Sequence, residues 1–277
     1  MPISQTFSRG SSRPGRVCEF ESGPFARSNG IPLRPPSDLP SPGHKHLSIA
    51  LGDVLGKGRA GTVHCATLIT PDYTDLPPLV AKVWRHRRSE TIEREAWFYE
   101  ELEKVQGIAV PRCYGLFQTH IEWGTEVLAW NNKIDPNEPS EDSMWMFTGV
   151  KEKTEEDPTL LSILLLERLG GRIPLRQADY TDIKSDVYEI YDDIGKLGIE
   201  HIDFRWSNIL SVTEDSDHPP SKLICPNHGH AHQWRIIDFH LARKTNATPE
   251  YLHSCFDSHL RRLFNNAPYG ITVEPWE

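Results

Sequence analysis

The pattern of apolar and polar positions predicts a chain of short strands with a few amphipathic helices. Apolar residues alternate with polar ones, or form short runs, in seven segments that are typical of strands: residues 47–55, 62–69, 79–84, 111–118, 160–166, 209–212 and 234–237. Apolar residues recur every three or four positions in residues 90–105 and 183–197, which predicts helices. Pro249 is a typical first residue of a further helix, up to about residue 263.

Three segments lack this periodicity. Residues 1–45 are rich in Pro, Ser, Gly and Arg and predict a disordered tail. Its arginine-rich, acid-free start is similar to an organelle transit peptide, but Pro2, Pro14 and Gly15 disfavour the helix that such a peptide forms. Residues 119–158 and 213–233 predict polar insertions, and the tryptophans of the first insertion suggest a partner surface.

Composition narrows the classes of function. A length of 277 residues suits one two-lobed domain or two small ones, and the net charge of -9 argues against a general nucleic-acid surface. No apolar run approaches the roughly 18 to 20 residues that a membrane helix needs, so no membrane partner is expected. Five scattered cysteines, an odd number, indicate reduced thiols in an intracellular compartment, cytoplasmic or nuclear.

A glycine-rich segment lies between the first two predicted strands. Gly56, Gly58, Gly61 and Val63 fit the spacing G-x-G-x-x-G-x-V. Glycines let a hairpin backbone approach phosphates closely and present its N–H groups to them. A dinucleotide-binding loop has the same glycine spacing, but it opens a helix, whereas residues 62–69 predict a strand.

Lys82 lies between apolar residues on the third predicted strand, where a half-buried ammonium group needs a partner. The following helix offers Glu90, Glu93 and Glu95, and Glu95 faces the same side as the apolar stripe. A Lys82–Glu95 pair would place a cation on nucleotide phosphates. The alternative is that all three glutamates are solvated.

Two later segments carry the acidic chemistry. Asp203 precedes Asn208 by five residues, and Asp238 follows two isoleucines after a loop. This order supplies a catalytic base and two metal ligands, as phosphoryl transfer from ATP requires. Each residue alone would more often cap a loop, so the interpretation rests on their combination.

Taken in order, these elements resemble a eukaryotic-type protein kinase domain over residues 47–243. The resemblance implies an α+β, two-lobed, protein kinase-like fold. Its first lobe (46–169) would hold an antiparallel five-stranded sheet and one helix, with the insertion at 119–158. Its second lobe (170–277) would be mainly helical and reduced, with the insertion at 213–233. The chain is similar to compact, atypical members such as the RIO and Bud-type families and minimal fungal kinase-like proteins.

The resemblance also implies roles for single residues. ATP would be the phosphate donor and Mg²⁺ its metal ion, and a Ser/Thr-type hydroxyl of an unknown protein or small molecule would be the acceptor. Asp203 would orient that hydroxyl, Arg205 would contact the transferred phosphate, and Asn208 and Asp238 would hold Mg²⁺. The residues implied in ATP binding are Gly56, Gly58, Gly61, Val63, Lys82 (paired with Glu95), Glu167 and Leu169, with Leu166 at the back of the pocket.

The chain departs from the kinase pattern in several places, one of which is the altered A-x-K spacing in Val80-Ala81-Lys82. Ile202 replaces the Arg of H-R-D, which argues against a switch by activation-loop phosphorylation, and His240 replaces the glycine of D-F-G. Only 37 residues follow His240, without an A-P-E motif, so peptide recognition of the usual kind is not expected. These departures keep two alternatives open: a weak or inactive pseudokinase that binds a nucleotide or a partner, and a small-molecule kinase of the aminoglycoside or choline type.

One further motif lies in the second insertion. Cys225, His228, His230 and His232 could chelate zinc, but all four come from one local segment. Structural zinc sites usually draw pairs of ligands from two separated segments. A solvated loop is therefore the expectation, and a metal site is the alternative.

Overall fold

The structure is a computed structural model that describes residues 3–6, 17–18, 25–38, 46–57, 61–69, 76–84, 89–122, 159–213 and 223–272. The chain divides into two compact units. The first comprises residues 1–13, 38–97 and 113–168, and the second comprises residues 14–37, 98–112 and 169–277. The second unit thus combines the last part of the chain with two earlier segments.

Among the described residues, strands dominate the part of the chain before residue 170, and two of the three α-helices follow it. In chain order the elements are β1 Ile3–Thr6, β2 Val17–Cys18, β3 His46–Lys57, β4 Gly61–Leu68, β5 Leu79–Trp84, α1 Ser89–Glu101, β6 Cys113–His120, β7 Leu160–Glu167, α2 Thr181–Lys196, β8 Ile199–Glu200, β9 Ile209–Ser211, β10 Trp234–Ile236, β11 Arg243–Thr245 and α3 Pro249–Asn266, all within the described residues. Short 3₁₀ helices span Glu103–Val105, Trp206–Asn208, Phe239–Leu241 and Ala267–Tyr269.

The first unit is built on a six-stranded sheet of order β1-β3-β4-β5-β7-β6 in which all neighbours are antiparallel. The five strands predicted for the first lobe form its main part, and the α+β class is confirmed. The prediction missed β1, which pairs with the start of β3. The predicted helix 90–105 is instead α1 followed by a 3₁₀ turn, Glu103–Val105.

Alternation along β5 sends its side chains to opposite faces of the sheet. Leu79, Ala81 and Val83 join Ile163 and Leu165 in one apolar cluster. Lys82 therefore belongs to the other face, and its neighbour across the ladder on β7 is Leu164. The strand pattern thus forces an ammonium group onto a half-buried surface.

The second unit contains α2 and α3, a two-stranded sheet (β9 and β10) and a three-stranded sheet (β2, β11 and β8). The two helices pack through Tyr191 and Phe256, whose ring centroids are 5.5 Å apart. The hydroxyl of Tyr188 donates to Asp257 at 2.9 Å. The chain turns after α2 at Gly198, which has φ +71.

The predicted tail 1–45 differs from the structure in its described parts. Arg27 donates to the carbonyls of Gly195 (2.8 Å) and Lys196 (3.1 Å), which lie in the last turn of α2. A cation placed there stabilises the helix dipole and satisfies carbonyls that have no partner within the helix. Arg34 contacts the buried carboxylate of Glu101, which also pairs with Lys244 at 2.8 Å. The composition of residues 1–45 predicted disorder, but Arg27 and Arg34 form hydrogen bonds and ion pairs with residues that are distant in the sequence.

Two predicted features lie outside the described residues. They are residues 123–158 of the first insertion and residues 214–222 of the second. Within the described residues, no helix is long and apolar enough to span a bilayer.

Gly198 offers a test of this architecture. A Cβ atom at Gly198 would lie 2.8 Å from Pro32 Cδ and from the carbonyl oxygen of Thr245, at a positive φ. We expect Gly198→Ala to lower the free energy of unfolding by about 1–3 kcal/mol or more. Gly171→Ala, where a Cβ would meet nothing within 4 Å, is the matched control. Equal urea midpoints for the two variants would contradict the packing described.

Candidate active-site residues

The predicted site residues fall into two groups, one in each unit. Gly56, Gly61, Val63, Lys82, Glu95 and Glu167 belong to the first unit, and Leu169, Asp203, Arg205, Asn208 and Asp238 belong to the second. Gly58 lies outside the described residues.

In the first unit, Lys82 pairs with Glu95. The ammonium group donates to Oε2 at 2.8 Å and to Oε1 at 3.1 Å. The side chains are 13% and 1% exposed, so the pair is almost closed to water. The ammonium group also lies over the ring of Trp84, 4.3 Å from its centroid. Glu95, one of the three glutamates that the sequence offered, is thus a partner of Lys82 in the structure.

The glycine hairpin joins β3 to β4. Gly56 pairs with Val63 across this ladder, and Val63 pairs in turn with Lys82 on β5. Gly61 has a steric reason to be glycine, because a Cβ there would lie 2.2 Å from the carbonyl oxygen of Val83. Gly56 has none, since a Cβ there would meet nothing within 4 Å.

The segment predicted to hold the adenine follows β7. Glu167 is the last residue of β7 and is buried, and it pairs with Leu79 across the ladder. The next backbone N–H, of Arg168, donates to the carbonyl of Pro78 at 2.8 Å. Leu166 is buried beside Cys113 on β6. Leu169 begins the last segment of the second unit.

In the second unit, Asp203 is the centre of a small polar cluster. Its carboxylate accepts from Arg205 Nε at 2.6 Å and from Asn208 Nδ2 at 2.9 Å. Asn208 also donates to the carbonyl of Asp203 at 3.1 Å, so the loop closes on itself. Trp206, buried between these donors, donates its indole N–H to the carbonyl of Ile173 at 2.7 Å. The side chains of Asp203 and Asn208 are thereby held in fixed orientations.

His201 ties this loop to the segment that carries Asp238. Its Nε2 lies 3.1 Å from the carbonyl oxygen of Ile237 and 3.2 Å from that of Asp238. The ring packs edge-on against Phe239 at 4.9 Å, and Phe239 packs against Tyr99 at 5.6 Å. The sequence pattern assigned no role to His201, Phe239 or Tyr99. The sequence signal that could have identified His201 was the spacing His-x-Asp, which places it two residues before the buried carboxylate of Asp203.

Asp238 and its neighbour His240 differ from what the sequence suggested. Asp238 adopts the left-handed conformation, with φ +69 and ψ +66. His240 lies in the 3₁₀ helix Phe239–Leu241 and is not among the described residues with positive φ. The glycine-like turn is therefore made by Asp238, so the loss of glycine at 240 does not strain this backbone. The imidazole instead contacts the carboxylate, with Nδ1 2.6 Å from Asp238 Oδ1.

Comparison with known proteins adds little to this geometry. No family model matches the chain, and no curated protein does. A solved structure titled "WaaP in complex with acyl carrier protein" is similar with a TM-score of 0.40 and 15% sequence identity, over 76% of this chain and 70% of that one. A likeness of this level carries no argument about fold or function.

The burial of His201 predicts a pH dependence of stability. Burial lowers the pKa of His201 although Asp203 and Asp238 lie near it and favour the charged form. A histidine that is neutral in the folded state and has a pKa of about 6.5 when unfolded takes up its proton more readily on unfolding. Its contribution to stability is present above that pH and is lost as the pH falls below it, towards the lowered folded-state value.

We therefore expect His201→Gln to remove this part of the decline in the free energy of unfolding below pH about 6.5. The measurement is urea unfolding of the wild type and the variant at several pH values. Ser254→Ala on α3, which changes no titratable group, is the control and should retain the wild-type slope. Parallel pH profiles for the wild type and His201→Gln would contradict a neutral buried imidazole.

Proposed function

We propose that this chain is a kinase-like phosphotransferase that transfers a phosphoryl group from ATP to a hydroxyl acceptor in the presence of Mg²⁺. The observation that carries the proposal is the closed loop around Asp203, with Arg205 and Asn208 both donating to its carboxylate. A buried carboxylate needs donors in any role, and here a guanidinium and an amide, two and five residues further along the chain, hold it in one direction. A base that must orient a hydroxyl does need a fixed direction.

The role proposed for Asp203 is to accept a hydrogen bond from the acceptor hydroxyl and to receive its proton. The role of Arg205 is to contact the transferred phosphoryl group, for which a guanidinium supplies positive charge and a planar fork of N–H donors. The chain would thus supply a base and a cation two residues apart on one loop. Phosphoryl transfer asks for this combination, because its transition state is stabilised mainly by positioning and by positive charge.

Lys82 would contact the phosphates of ATP. A lysine held by a buried glutamate keeps its charge and direction, which suits the recognition of a phosphate oxygen. The backbone of the hairpin at Gly56, Gly58 and Gly61 would offer N–H groups to the same phosphates, with Val63 under the base. The backbone of Glu167 and Leu169 would bind the adenine edge. These assignments rest on the kinase resemblance and on the Lys82–Glu95 pair.

Asn208 and Asp238 have the chemistry of Mg²⁺ ligands, since amide and carboxylate oxygens are what this ion prefers. The Nδ2 group of Asn208 donates twice to Asp203, so the amide oxygen points away from that residue. Mg²⁺ would neutralise negative charge on the phosphates of ATP. Asp238 fits less completely, because one of its oxygens already contacts His240.

The proposal predicts that Asp203→Asn separates binding from transfer. The amide keeps the shape but cannot accept the proton, so we expect phosphate transfer to fall by about 100- to 10,000-fold. Stabilisation by ATP–Mg²⁺ in a thermal-shift assay should persist. Lys82→Met should instead weaken that stabilisation, since the variant loses the cation proposed to contact the phosphates.

Asp257→Asn on α3 is the matched control, because this carboxylate also accepts hydrogen bonds but lies outside the proposed site. It should keep wild-type transfer. The assay should use a panel of Ser/Thr peptides and small hydroxyl compounds as acceptors, because the acceptor class is open. Equal rates for the wild type and Asp203→Asn, with every acceptor tried, would contradict the proposed phosphotransferase activity.

A second candidate is a nucleotide-binding pseudokinase, and the contact of His240 with Asp238 favours it. If the imidazole competes with Mg²⁺, His240→Ala should raise the Mg²⁺-dependent affinity for ATP by about tenfold, from the loss of a charge-assisted hydrogen bond worth about 1.5 kcal/mol. The measurement is ATP titration with Mg²⁺ and with EDTA. If His240→Ala binds ATP more tightly and neither the wild type nor the variant transfers phosphate, the result favours the pseudokinase. An unchanged affinity would show that His240 does not obstruct the ion.

A further inference from the structure

The histidine-rich segment before β10 is not the solvated loop that its composition suggested. Cys225 and His232 are buried, at 0% and 1% exposure. Both face Asp193, a residue of α2 that is itself 1% exposed. A second, distant segment thus joins the local motif, and this was the element whose absence argued against a metal site.

Four potential ligand atoms converge on one point: Cys225 Sγ, His228 Nδ1, His232 Nε2 and Asp193 Oδ2, which all lie within 4.8 Å of one another. Asp193 Oδ2 is 3.0 Å from Cys225 Sγ, 3.4 Å from His228 Nδ1 and 3.8 Å from His232 Nε2. The distance from Cys225 Sγ to His228 Nδ1 is 3.3 Å. Ligand atoms around a tetrahedral zinc ion are about 3.3–3.6 Å apart, given Zn–S of about 2.3 Å and Zn–N or Zn–O of about 2.0 Å.

Two of these side chains, His232 and Asp193, also have contacts on their outer sides. His232 Nδ1 contacts Asp186 at 2.6 Å, and Asp186 also accepts from the backbone N–H groups of Gln233 and Trp234. The outer oxygen of Asp193 accepts from Asn227 at 2.7 Å and from Lys196 at 3.0 Å. Such outer contacts fix the tautomer and direction of metal ligands. They leave the lone pair of His232 Nε2 and one oxygen of Asp193 for the interior of the cluster.

The buried Nε2 of His232 has no hydrogen-bond partner among the described residues. Its distance of 3.8 Å to Asp193 is too long for a hydrogen bond. Burying a nitrogen without a hydrogen-bond partner costs free energy, so we expect a bound group at the centre of the cluster. The carboxylates of Asp186 and Asp193 lie next to the His232 ring, so a positively charged occupant is favoured at this point.

We propose that Asp193, Cys225, His228 and His232 bind one structural zinc ion. Thiolate, imidazole and carboxylate together are a zinc donor set, and four protein ligands leave no open position for a substrate. Cys225 forms no disulfide, so its thiol is available for the metal. Binding replaces the thiol proton, which leaves to solvent as the thiolate–zinc bond forms. The proposal does not depend on the function proposed above.

The ion would clamp the segment before β10 onto α2. His232 is two residues before β10, and Asp238 is two residues after its end. Zinc would therefore fix the strand that leads to the candidate metal ligand of the active site. It would do this as a structural element and not as a participant in the chemistry.

The test is the metal content of full-length, untagged protein that is loaded with zinc and then dialysed. We expect about one zinc per chain. Cys225→Ser, which is nearly isosteric, should lose it. Co²⁺ in place of zinc should give the intense thiolate-to-cobalt absorption and the visible bands of a tetrahedral site, and the thiolate absorption should vanish in Cys225→Ser.

Two matched variants distinguish this ligand set from its surroundings. Cys255→Ser, in α3, and His230→Gln, whose ring contacts Asp186 and Glu189 instead, should both retain zinc. Sub-stoichiometric zinc in the wild type would overturn the proposal, as would retention of zinc by Cys225→Ser. Loss of zinc only in His230→Gln would assign the metal to a different set of ligands. If Cys225→Ser fails to fold, the cobalt spectrum of the wild type decides, and a spectrum without thiolate absorption contradicts the site.

Discussion

The burial of the Asp203 carboxylate is the constraint on which the candidate site depends. A carboxylate that is 2% exposed must be given donors, because burying it without them costs several kcal/mol. Arg205 and Asn208 are near enough in sequence to serve only if the chain turns back over Asp203. The 3₁₀ turn Trp206–Asn208 makes this return, and the bond from Trp206 to Ile173 holds it against the body of the second unit. Because the buried carboxylate of Asp203 needs hydrogen-bond donors, the orientation of the whole loop is fixed.

Buried polar contacts also position the segment of the second unit that carries Asp238. His201 is buried two residues before Asp203, and its ring reaches the carbonyls of Ile237 and Asp238. The backbone N–H of Ile237 donates to the carbonyl of Asn208 at 3.0 Å, so the two segments are joined at a second point. Asp203, Asn208 and Asp238 are therefore positioned by one network. In the first unit, a buried Lys82 obtains its partner from α1 in a comparable way.

Sequence reasoning succeeded where the decisive information is local. The strands of the first unit follow from alternation, and Glu95 follows from the need of Lys82 for a partner on the apolar side of the next helix. It did not succeed where a partner is distant. Arg27 reaches Gly195 and Ala247, which are 168 and 220 residues away, and only the folded chain brings them together. The same holds for Asp193, whose contacts with Cys225 and Asn227 cross more than thirty residues.

The acidic residues of α2 show why two ordinary interpretations can both fail. Asp186, Glu189 and Asp193 recur at helical spacing beside the apolar stripe of Val187, Ile190 and Ile194, and such a row is normally solvated. The histidines before β10 are normally solvated as well. The acidic residues of α2 and these histidines can nevertheless be buried together. The carboxylates obtain hydrogen-bond donors and the imidazoles obtain acceptors. Arg235, also buried, bonds the carbonyls of His232 and Gly107. The position of Asp238 is thus determined by polar contacts on both sides of β10, and apolar periodicity could not reveal it.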